Sequence, residues 1–136
     1  MILLVEDNED DVFLMERAMR QAGISLPMQL AENGREALDY LKGAGKFTDR
    51  MAFPVPLVIF LDLKLPYVHG FEVLRWLKQE SALGHIPVAV LSSSLEESDR
   101  LTADKLGAKA FLVKPPSPDI LAGFFNSLPG LRASAG

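Results

Sequence analysis

Four apolar segments of this 136-residue chain each lead into a side chain that can take part in phosphoryl chemistry. In a parallel α/β sheet, the carboxyl ends of the strands line one edge, and such folds bind their ligands there. The sequence therefore predicts that carboxylates, a hydroxyl and an ammonium converge on one site. The residues concerned are Glu6 and Asp7 after Ile2 to Val5, Asp62 after Leu57 to Leu61, Ser92 after Val88 to Leu91, and Lys114 after Ala110 to Val113.

The acidic residues of this predicted site would repel one another without a positive charge between them. Glu6 and Asp7 end one strand and would face Asp62, and close carboxylates must either share a proton or bind a cation. Mg²⁺ prefers oxygen ligands and often takes one or two protein carboxylates together with water and phosphate oxygens. We therefore predict that these carboxylates bind Mg²⁺. The residues Glu9 to Asp11 are interpreted instead as a solvated first turn of a helix, where the helix dipole favours negative charge.

Asp62 is the candidate nucleophile, because a carboxylate can accept a phosphoryl group and form an aspartyl phosphate. A bound metal would neutralise charge on the phosphoryl oxygens. Lys114 would place a positive charge beside the phosphoryl oxygens, and Ser92 would donate a hydrogen bond to the same group. Taken singly, Ser92 would be an ordinary residue of a serine run and Lys114 a surface lysine before Pro115. Their joint position at strand ends favours the catalytic interpretation.

The elements that must position these residues follow from hydrophobic periodicity. The runs Leu57 to Leu61 and Val88 to Leu91 are continuous, which is typical of parallel strands buried on both faces. Met28 to Ala31 has the weakest strand pattern. Strands and helices alternate five times, so right-handed crossovers predict an α/β doubly wound sandwich with helices on both faces. The predicted helices are Asp10 to Ala22, Gly34 to Lys42, Phe71 to Gln79, Glu96 to Leu106 and Pro118 to Leu128.

Two segments fall outside this alternation. Residues 43–56 are long for a connection in such a fold and contain two glycines and two prolines. They are predicted to form an extended, solvated loop before the third strand, with partner docking as an alternative role. Residues 129–136 are small and polar and are predicted to form a flexible C-terminal tail. We therefore expect one domain over residues 1–128.

Composition excludes several classes of function. The net charge of −4 and the pI near 5.1 give no electrostatic footprint for nucleic acid. No apolar run approaches the roughly 18 residues that a membrane-spanning helix needs, so no membrane association is expected. The chain has no cysteine, which excludes disulfides, thiolate zinc sites and thiol catalysis. We expect a cytoplasmic protein.

Four motifs, taken in order and spacing, resemble those of the receiver domain of two-component response regulators. The resemblance spans Ile2 to about Leu128 and implies a flavodoxin-like (βα)5 sandwich whose five parallel strands lie in the order 2-1-3-4-5. The motifs are Leu3-Leu-Val-Glu-Asp-Asn8, Leu61-Asp-Leu-Lys-Leu-Pro66 with Gly70, Leu91-Ser-Ser93 and Val113-Lys-Pro115.

The same resemblance implies a role for each residue of the site. Asp62 would accept a phosphoryl group from a partner's phosphohistidine. Asp7 would bind Mg²⁺ directly, Glu6 would be an outer acidic partner, and the backbone carbonyl of Lys64 would complete the protein ligands.

Ser92 would be the switch hydroxyl and Lys114 the lysine that contacts the phosphoryl group, with a cis bond between Lys114 and Pro115. The aromatic switch position is occupied by Phe111, which lacks the hydroxyl of the frequent tyrosine, and a plain core role for Phe111 is the alternative.

Phosphorylation would change the surface from Ser94 through Leu128, formed by the fourth helix, the fifth strand and the fifth helix. Phe124 and Phe125 are adjacent and cannot face the same way on a helix. One is expected in the core, and the other is expected to be partly exposed, which would suit a homodimer face; the alternative is that both are tucked against neighbouring elements.

No output domain follows the fifth helix in this sequence, so a stand-alone receiver would act through another protein. Expected partners are a sensor histidine kinase or a histidine phosphotransfer protein. The Glu-Asp start and the long 43–56 loop also resemble the small regulators paired with bacterial phytochrome kinases.

Such a protein would promote only its own phosphorylation and dephosphorylation and would not be an enzyme in the usual sense. A rival interpretation is a phosphohydrolase of the haloacid-dehalogenase type, which also uses an aspartyl nucleophile. That class would need a second aspartate two residues after the first, where this chain has Lys64. Two further rivals are a flavin- or nucleotide-binding module and an interaction domain that works without phosphorylation.

Overall fold

Strands and helices alternate along the whole described part of the chain. The computed structural model describes residues 1–93 and 96–129. A short 3₁₀ turn at Gly45–Phe47 lies between the second helix and the third strand. The elements are β1 (Ile2–Val5), α1 (Glu9–Gln21), β2 (Met28–Ala31), α2 (Gly34–Lys42), β3 (Val58–Asp62), α3 (Gly70–Gln79), β4 (Val88–Ser92), α4 (Glu97–Lys105), β5 (Ala110–Val113) and α5 (Pro118–Asn126).

The five strands form one parallel sheet in the order β2-β1-β3-β4-β5. The predicted doubly wound architecture, the strand order and the weak second strand are therefore confirmed. Asp62 and Ser92 are the last residues of their strands, whereas the apolar runs alone predicted that each strand would end one position earlier. The register pairs Asp62 with Leu91, and Ser92 with Val113, so the carboxyl ends of β3, β4 and β5 reach the same edge.

Alternate residues of the central strands supply two hydrophobic layers, one on each face of the sheet. Ile59 and Leu61 belong to the layer that α2, α3 and α4 cover, whereas Phe60 belongs to the layer that α1 and α5 cover. All five residues of β3 are buried. Continuous apolar strands are the expected composition for a sheet covered on both faces.

The segment between α2 and β3 is not solvated throughout. Phe47 is only 2% exposed, and its ring centroid lies 4.9 Å from that of Tyr40 and 5.1 Å from that of Phe53. These three rings form an aromatic cluster that continues the core beneath the segment. The prediction of a solvated loop was wrong for Phe47, because a glycine- and proline-rich composition does not reveal whether an isolated aromatic side chain turns inward.

Arg50 fixes this segment to the end of α2. Its guanidinium donates hydrogen bonds to the carbonyl oxygens of Tyr40 and Leu41, each at 2.8 Å, and to that of Phe53 at 3.1 Å. The last carbonyls of a helix have no partner within the helix, so these bonds cap it. Gly43 ends α2 in the left-handed conformation at φ 68°, and a Cβ there would lie 3.1 Å from the guanidinium. Both constraints favour glycine at position 43.

Phe124 and Phe125 are both buried, with relative exposures of 7% and 1%. Their ring centroids lie 5.5 and 5.9 Å from that of Phe60. The expectation that one of them would be partly exposed is therefore wrong, and the alternative of two tucked rings is correct. Adjacent helical residues can both be buried here because α5 lies over the sheet and beside α1.

Residues 130–136 of the predicted tail lie outside the described residues. No helix in the described ranges is both long and apolar enough to cross a lipid bilayer.

Replacing Phe47 with alanine tests the aromatic cluster. We expect Phe47→Ala to lower the free energy of unfolding by about 3–5 kcal/mol, because a buried aromatic ring is lost and a cavity remains. The matched control in the same segment is Met51→Ala, since Met51 is 93% exposed. This control should change stability by less than about 0.5 kcal/mol. Urea denaturation followed by circular dichroism measures both, and equal small effects would contradict the cluster's structural role.

Candidate functional site at the carboxyl edge of the sheet

Three carboxylates meet where the central strands end. Glu6 directly follows β1, Asp7 comes next, and Asp62 ends β3. One ligand oxygen from each lies within 4.8 Å of the others. Glu6 and Asp62 are buried, whereas Asp7 is exposed. The structure thus brings together the acidic residues that the sequence placed at one site.

The ammonium of Lys114 lies among these carboxylates. Its Nζ is 2.7 Å from Oε1 of Glu6 and 3.2 Å from Oδ2 of Asp62. The backbone places the lysine there, because the Lys114 N–H donates to the carbonyl oxygen of Ser92 at 2.9 Å, directly beyond β5. The bond between Lys114 and Pro115 is cis, as the sequence resemblance implied.

Asp11 is a member of the site that the sequence patterns did not reveal. Its Oδ2 lies 3.0 Å from Lys114 Nζ, although Asp11 was assigned only to a solvated helix start. Asp11 is the third residue of α1, and its N–H donates to the side chain of the N-cap residue Asn8 at 3.0 Å. The sequence carried no signal for this role, because the contact joins α1 to a residue beyond β5.

Burial and charge compete in setting the protonation of the site. Burial raises the pKa of Glu6 to about 7; the hydrogen bond from Lys114 opposes this rise, and the negative charge of Asp62 adds to it. Burial alone would lower the pKa of Lys114, but the hydrogen bonds to Glu6 and Asp11 and the charge of Asp62 outweigh burial and raise that pKa. The lysine is therefore held as a cation, while the buried glutamate carries a large desolvation penalty.

The donor set suits a hard divalent cation. Carboxylate oxygens are the ligands that Mg²⁺ prefers, and a site with one exposed and two buried carboxylates leaves room for water ligands. Glu6, Asp7 and Asp62 supply such oxygens within one small volume. The Lys114 ammonium contacts three carboxylates, those of Glu6, Asp11 and Asp62, and Asp7 adds a fourth beside them, so a cation would relieve the remaining repulsion.

The loop after Asp62 requires a glycine at its end. The N–H of Gly70 donates to the carbonyl oxygen of Leu63 at 2.8 Å, which folds the loop back on the strand. A Cβ at position 70 would lie 2.5 Å from the carbonyl oxygen of Asp62 and 2.8 Å from the Leu63 Cα. Real Cβ atoms do not come so close to backbone, so this glycine lets α3 begin beside the acidic site. Lys64 lies exposed in the same loop.

Ser92 and Phe111 occupy the neighbouring strands. Ser92 is buried at the end of β4, next to the strand that carries Asp62. Phe111 is half-buried in β5, packs against the core layer of α2 to α4, and pairs in register with Val90. The hydroxyl, the lysine and the carboxylates therefore share one edge of the sheet, as the sequence predicted.

Comparison of the sequence with known families gives a match across most of the chain. The profile of the response regulator receiver domain matches residues 2–124. A similar curated protein is the probable methanogenesis regulatory protein FilR2 of Methanothrix harundinacea, 38% identical over 119 residues, or 85% of this chain and 72% of that protein. Response regulator Rcp1 of Synechocystis sp. is 34% identical over 132 residues, or 97% of this chain and 86% of Rcp1.

Solved structures show the same likeness. The bacteriophytochrome response regulator AtBRR is 42% identical with a TM-score of 0.84, covering 96% of this chain and 91% of its own. The bacteriophytochrome response regulator RtBRR is 40% identical with a TM-score of 0.84, covering 94% of this chain and 76% of its own. The Mn²⁺-bound form of Rcp1 is 32% identical with a TM-score of 0.78, covering 93% of this chain and 91% of its own.

Removing the Lys114 ammonium tests its role as the counter-charge. Without metal, we expect Lys114→Met to lower the free energy of unfolding by about 3 kcal/mol, because buried Glu6 and Asp62 lose their positive partner. The control is Lys105→Met, since Lys105 is exposed in the last turn of α4 and should contribute less than about 1 kcal/mol. Urea unfolding in the presence of a chelator measures both. Equal stability of the two variants would contradict the role.

Proposed function

The chain belongs to the response regulator receiver domain family, and we propose that it accepts a phosphoryl group from a partner histidine kinase onto Asp62 in an Mg²⁺-dependent reaction. The observation that supports this proposal best is that Glu6, Asp7 and Asp62 lie close together and that the Lys114 ammonium contacts Glu6 and Asp62. These side chains supply the groups that phosphoryl transfer to a carboxylate needs: a nucleophile, ligands for a cation and a fixed positive charge.

The proposed metal ligands are Asp7 and Asp62, with Glu6 as an outer acidic partner and the backbone carbonyl of Lys64 as a further oxygen donor. When bound, Mg²⁺ would neutralise negative charge on the phosphoryl oxygens. The similar regulator Rcp1 has been solved in an Mn²⁺-bound form, which supports a divalent cation in this chain as well.

In the proposed reaction, a carboxylate oxygen of Asp62 attacks the phosphorus of the partner's phosphohistidine. A phosphorus–oxygen bond forms, the phosphorus–nitrogen bond breaks, and the electron pair leaves with the imidazole. Lys114 already lies 3.2 Å from Asp62 Oδ2, so its ammonium is placed to offset the charge that arrives with the phosphoryl group. Asp62 is only 6% exposed, so few orientations are open to the acceptor oxygens and little water surrounds them.

We propose that catalysis is limited to the protein's own phosphorylation and dephosphorylation. A phosphohydrolase of the haloacid-dehalogenase type would need a carboxylic acid two residues after the nucleophile to protonate the leaving group. That position is held by the exposed Lys64. Lysine can contribute charge at the mouth of the site but not the acid that this rival class requires.

The proposed signal is a change of the face formed by α4, β5 and α5. In it, the Ser92 hydroxyl moves toward the phosphoryl group and Phe111 fills the space that it leaves. Three large apolar side chains support a docking role for this face, since Leu101, Val113 and Ile120 are about half exposed on α4, β5 and α5 respectively. A homodimer is the proposed product of phosphorylation.

A bacterial phytochrome kinase is the proposed source of the phosphoryl group, with a histidine phosphotransfer protein as an intermediate in a longer relay. Similarity to the bacteriophytochrome response regulators RtBRR and AtBRR, at 40% and 42% identity, supports this partner. The proposed location of this chain is the cytoplasm, where it would meet the kinase.

Phosphorylation of Asp62 can be tested without the kinase. With acetyl phosphate and Mg²⁺, we expect intact-mass spectrometry to show one added phosphoryl group, lost in Asp62→Asn and in the presence of a chelator. Asp10→Asn is the matched control, because Asp10 is exposed in the first turn of α1 and makes no ion pair among the described residues. An adduct that persists in Asp62→Asn would reject the assignment.

The dimer face can be tested with beryllofluoride, which mimics the phosphoryl group. With beryllofluoride and Mg²⁺, we expect light scattering after size-exclusion chromatography to show a dimer. Leu101→Glu should return the protein to a monomer, because it places charge on the apolar face. Met51→Glu, on the exposed segment before β3, should leave the dimer intact. A dimer that survives Leu101→Glu would place the interface elsewhere.

A further inference from the structure

A second site lies at the opposite edge of the sheet from the acidic residues. There the structure has a cavity of about 740 Å³. It is lined by Leu57, Pro87 and Lys109, which directly precede β3, β4 and β5, and by Leu128 just beyond α5. Asp62 and Ser92 are at the carboxyl ends of these strands. The length of the strands therefore separates the cavity from the proposed phosphoryl site.

The ionisable side chains that line this cavity are all basic. Lys78, His85 and Lys109 line it, and no aspartate or glutamate does so among the described lining residues. Lys78 is half-buried near the end of α3, and its ammonium donates to the carbonyl oxygens of Gly84 at 3.0 Å and Ile86 at 3.4 Å. Within the described ranges, no aspartate or glutamate forms an ion pair with Lys78, so its charge is not neutralised there.

Lys78 is held in place before any ligand arrives. A Cβ at Gly107 would lie 3.1 Å from Cε and 3.3 Å from Cδ of Lys78, so the lysine stem lies directly over this glycine. Gly107 follows α4 at φ 93°, a conformation that glycine adopts without strain. Burial also lowers the pKa of the Lys78 ammonium, because the charged form loses contact with water. A bound anion would compensate for this loss.

We propose that this cavity binds a small amphiphilic anion, an apolar chain or ring with one anionic head group. The head group would accept a charge-assisted hydrogen bond from Lys78, with Lys109 adding positive potential at the rim. The apolar body would contact Leu57, Ile86 and Leu128. The cavity volume lies within the range of about 300–1,000 Å³ that is typical of small-molecule sites, which are apolar pockets with a few placed polar groups.

A carboxylate, sulfonate or phosphodiester head group would satisfy the same chemistry. A single half-buried ammonium favours one negative charge, and the apolar walls favour a body of several carbons over a free inorganic ion. The site does not depend on the proposed phosphorylation, because it lies at the other end of the strands from the acidic cluster.

The fluorescent anion 1-anilinonaphthalene-8-sulfonate is a suitable probe, used with the full chain. We expect saturable fluorescence with one probe per chain, displaced by decanoate and much less by decanol, which lacks the charge. Lys78→Met should weaken the probe's affinity by about tenfold, the effect of losing one charge-assisted hydrogen bond. Lys105→Met, which removes an exposed lysine outside the cavity, should leave the affinity unchanged.

Lys78 also ties down the turn at Gly84 and Ile86, so a second variant guards against misfolding. Leu57 is 45% exposed, and Leu57→Glu places a carboxylate on the cavity wall with little cost to the core. We expect this variant to fold by circular dichroism and to lose at least about tenfold in probe affinity. Asp62→Asn should bind the probe normally, which separates this test from that of the proposed function.

Several results would overturn the proposal. They are non-saturable probe fluorescence, equal affinity in Leu57→Glu and the unaltered chain, and equal displacement by decanol and decanoate. Amide NMR gives an independent outcome: decanoate must shift the signals of Leu57, Ile86 and Ala108. If decanoate does not shift these signals, the anion site does not exist. That result would be expected if residues 130–136 or a second copy of the chain filled the cavity.

Discussion

The repulsion among carboxylates at one edge of the sheet is the constraint on which the rest of this site depends. A parallel sheet brings the ends of β1 and β3 side by side, so Glu6 and Asp62 must be buried close together with Asp7 beside them. One ammonium, that of Lys114, offsets this charge only in part. Uncompensated negative charge at this edge lowers the stability of the fold. It also raises the affinity of the edge for a divalent cation and for an anionic group that binds together with the cation.

The surrounding backbone serves this arrangement. Gly70 allows α3 to begin against the loop that follows Asp62, because no side chain would fit between them. Asn8 caps α1 by accepting from the N–H of Asp11, and the Asp11 carboxylate contacts the lysine. The N–H of Lys114 is tied to Ser92 on the next strand. Each of these local features would be a minor detail in another protein, but together they keep the polar side chains of the site within reach of one another at the end of an otherwise apolar sheet.

Much of the fold could be predicted because strands buried on both faces and helices with one apolar face leave distinct patterns. The residues at strand ends followed from the same patterns. Three features escaped because they depend on tertiary contacts. The sequence pattern assigned Asp11 to an ordinary acidic helix start, whereas in the structure its carboxylate lies 3.0 Å from Lys114. The pattern also assigned Phe47 to a solvated loop, whereas in the structure its ring packs against those of Tyr40 and Phe53. The partners of Lys78 are carbonyl oxygens, and sequence does not show where carbonyls point.

The alternation of side chains along β3 has a consequence for how any message can travel. Ile59 and Leu61 fill one layer of the core and Phe60 fills the other. If the strand slid by a single residue, every one of these side chains would exchange layers, and the whole interior would have to be rebuilt. A slip of a central strand by a whole residue is thus costly. A change at one rim of the sheet would cross it at less cost through rotating side chains and through helices that shift over a sheet of fixed register.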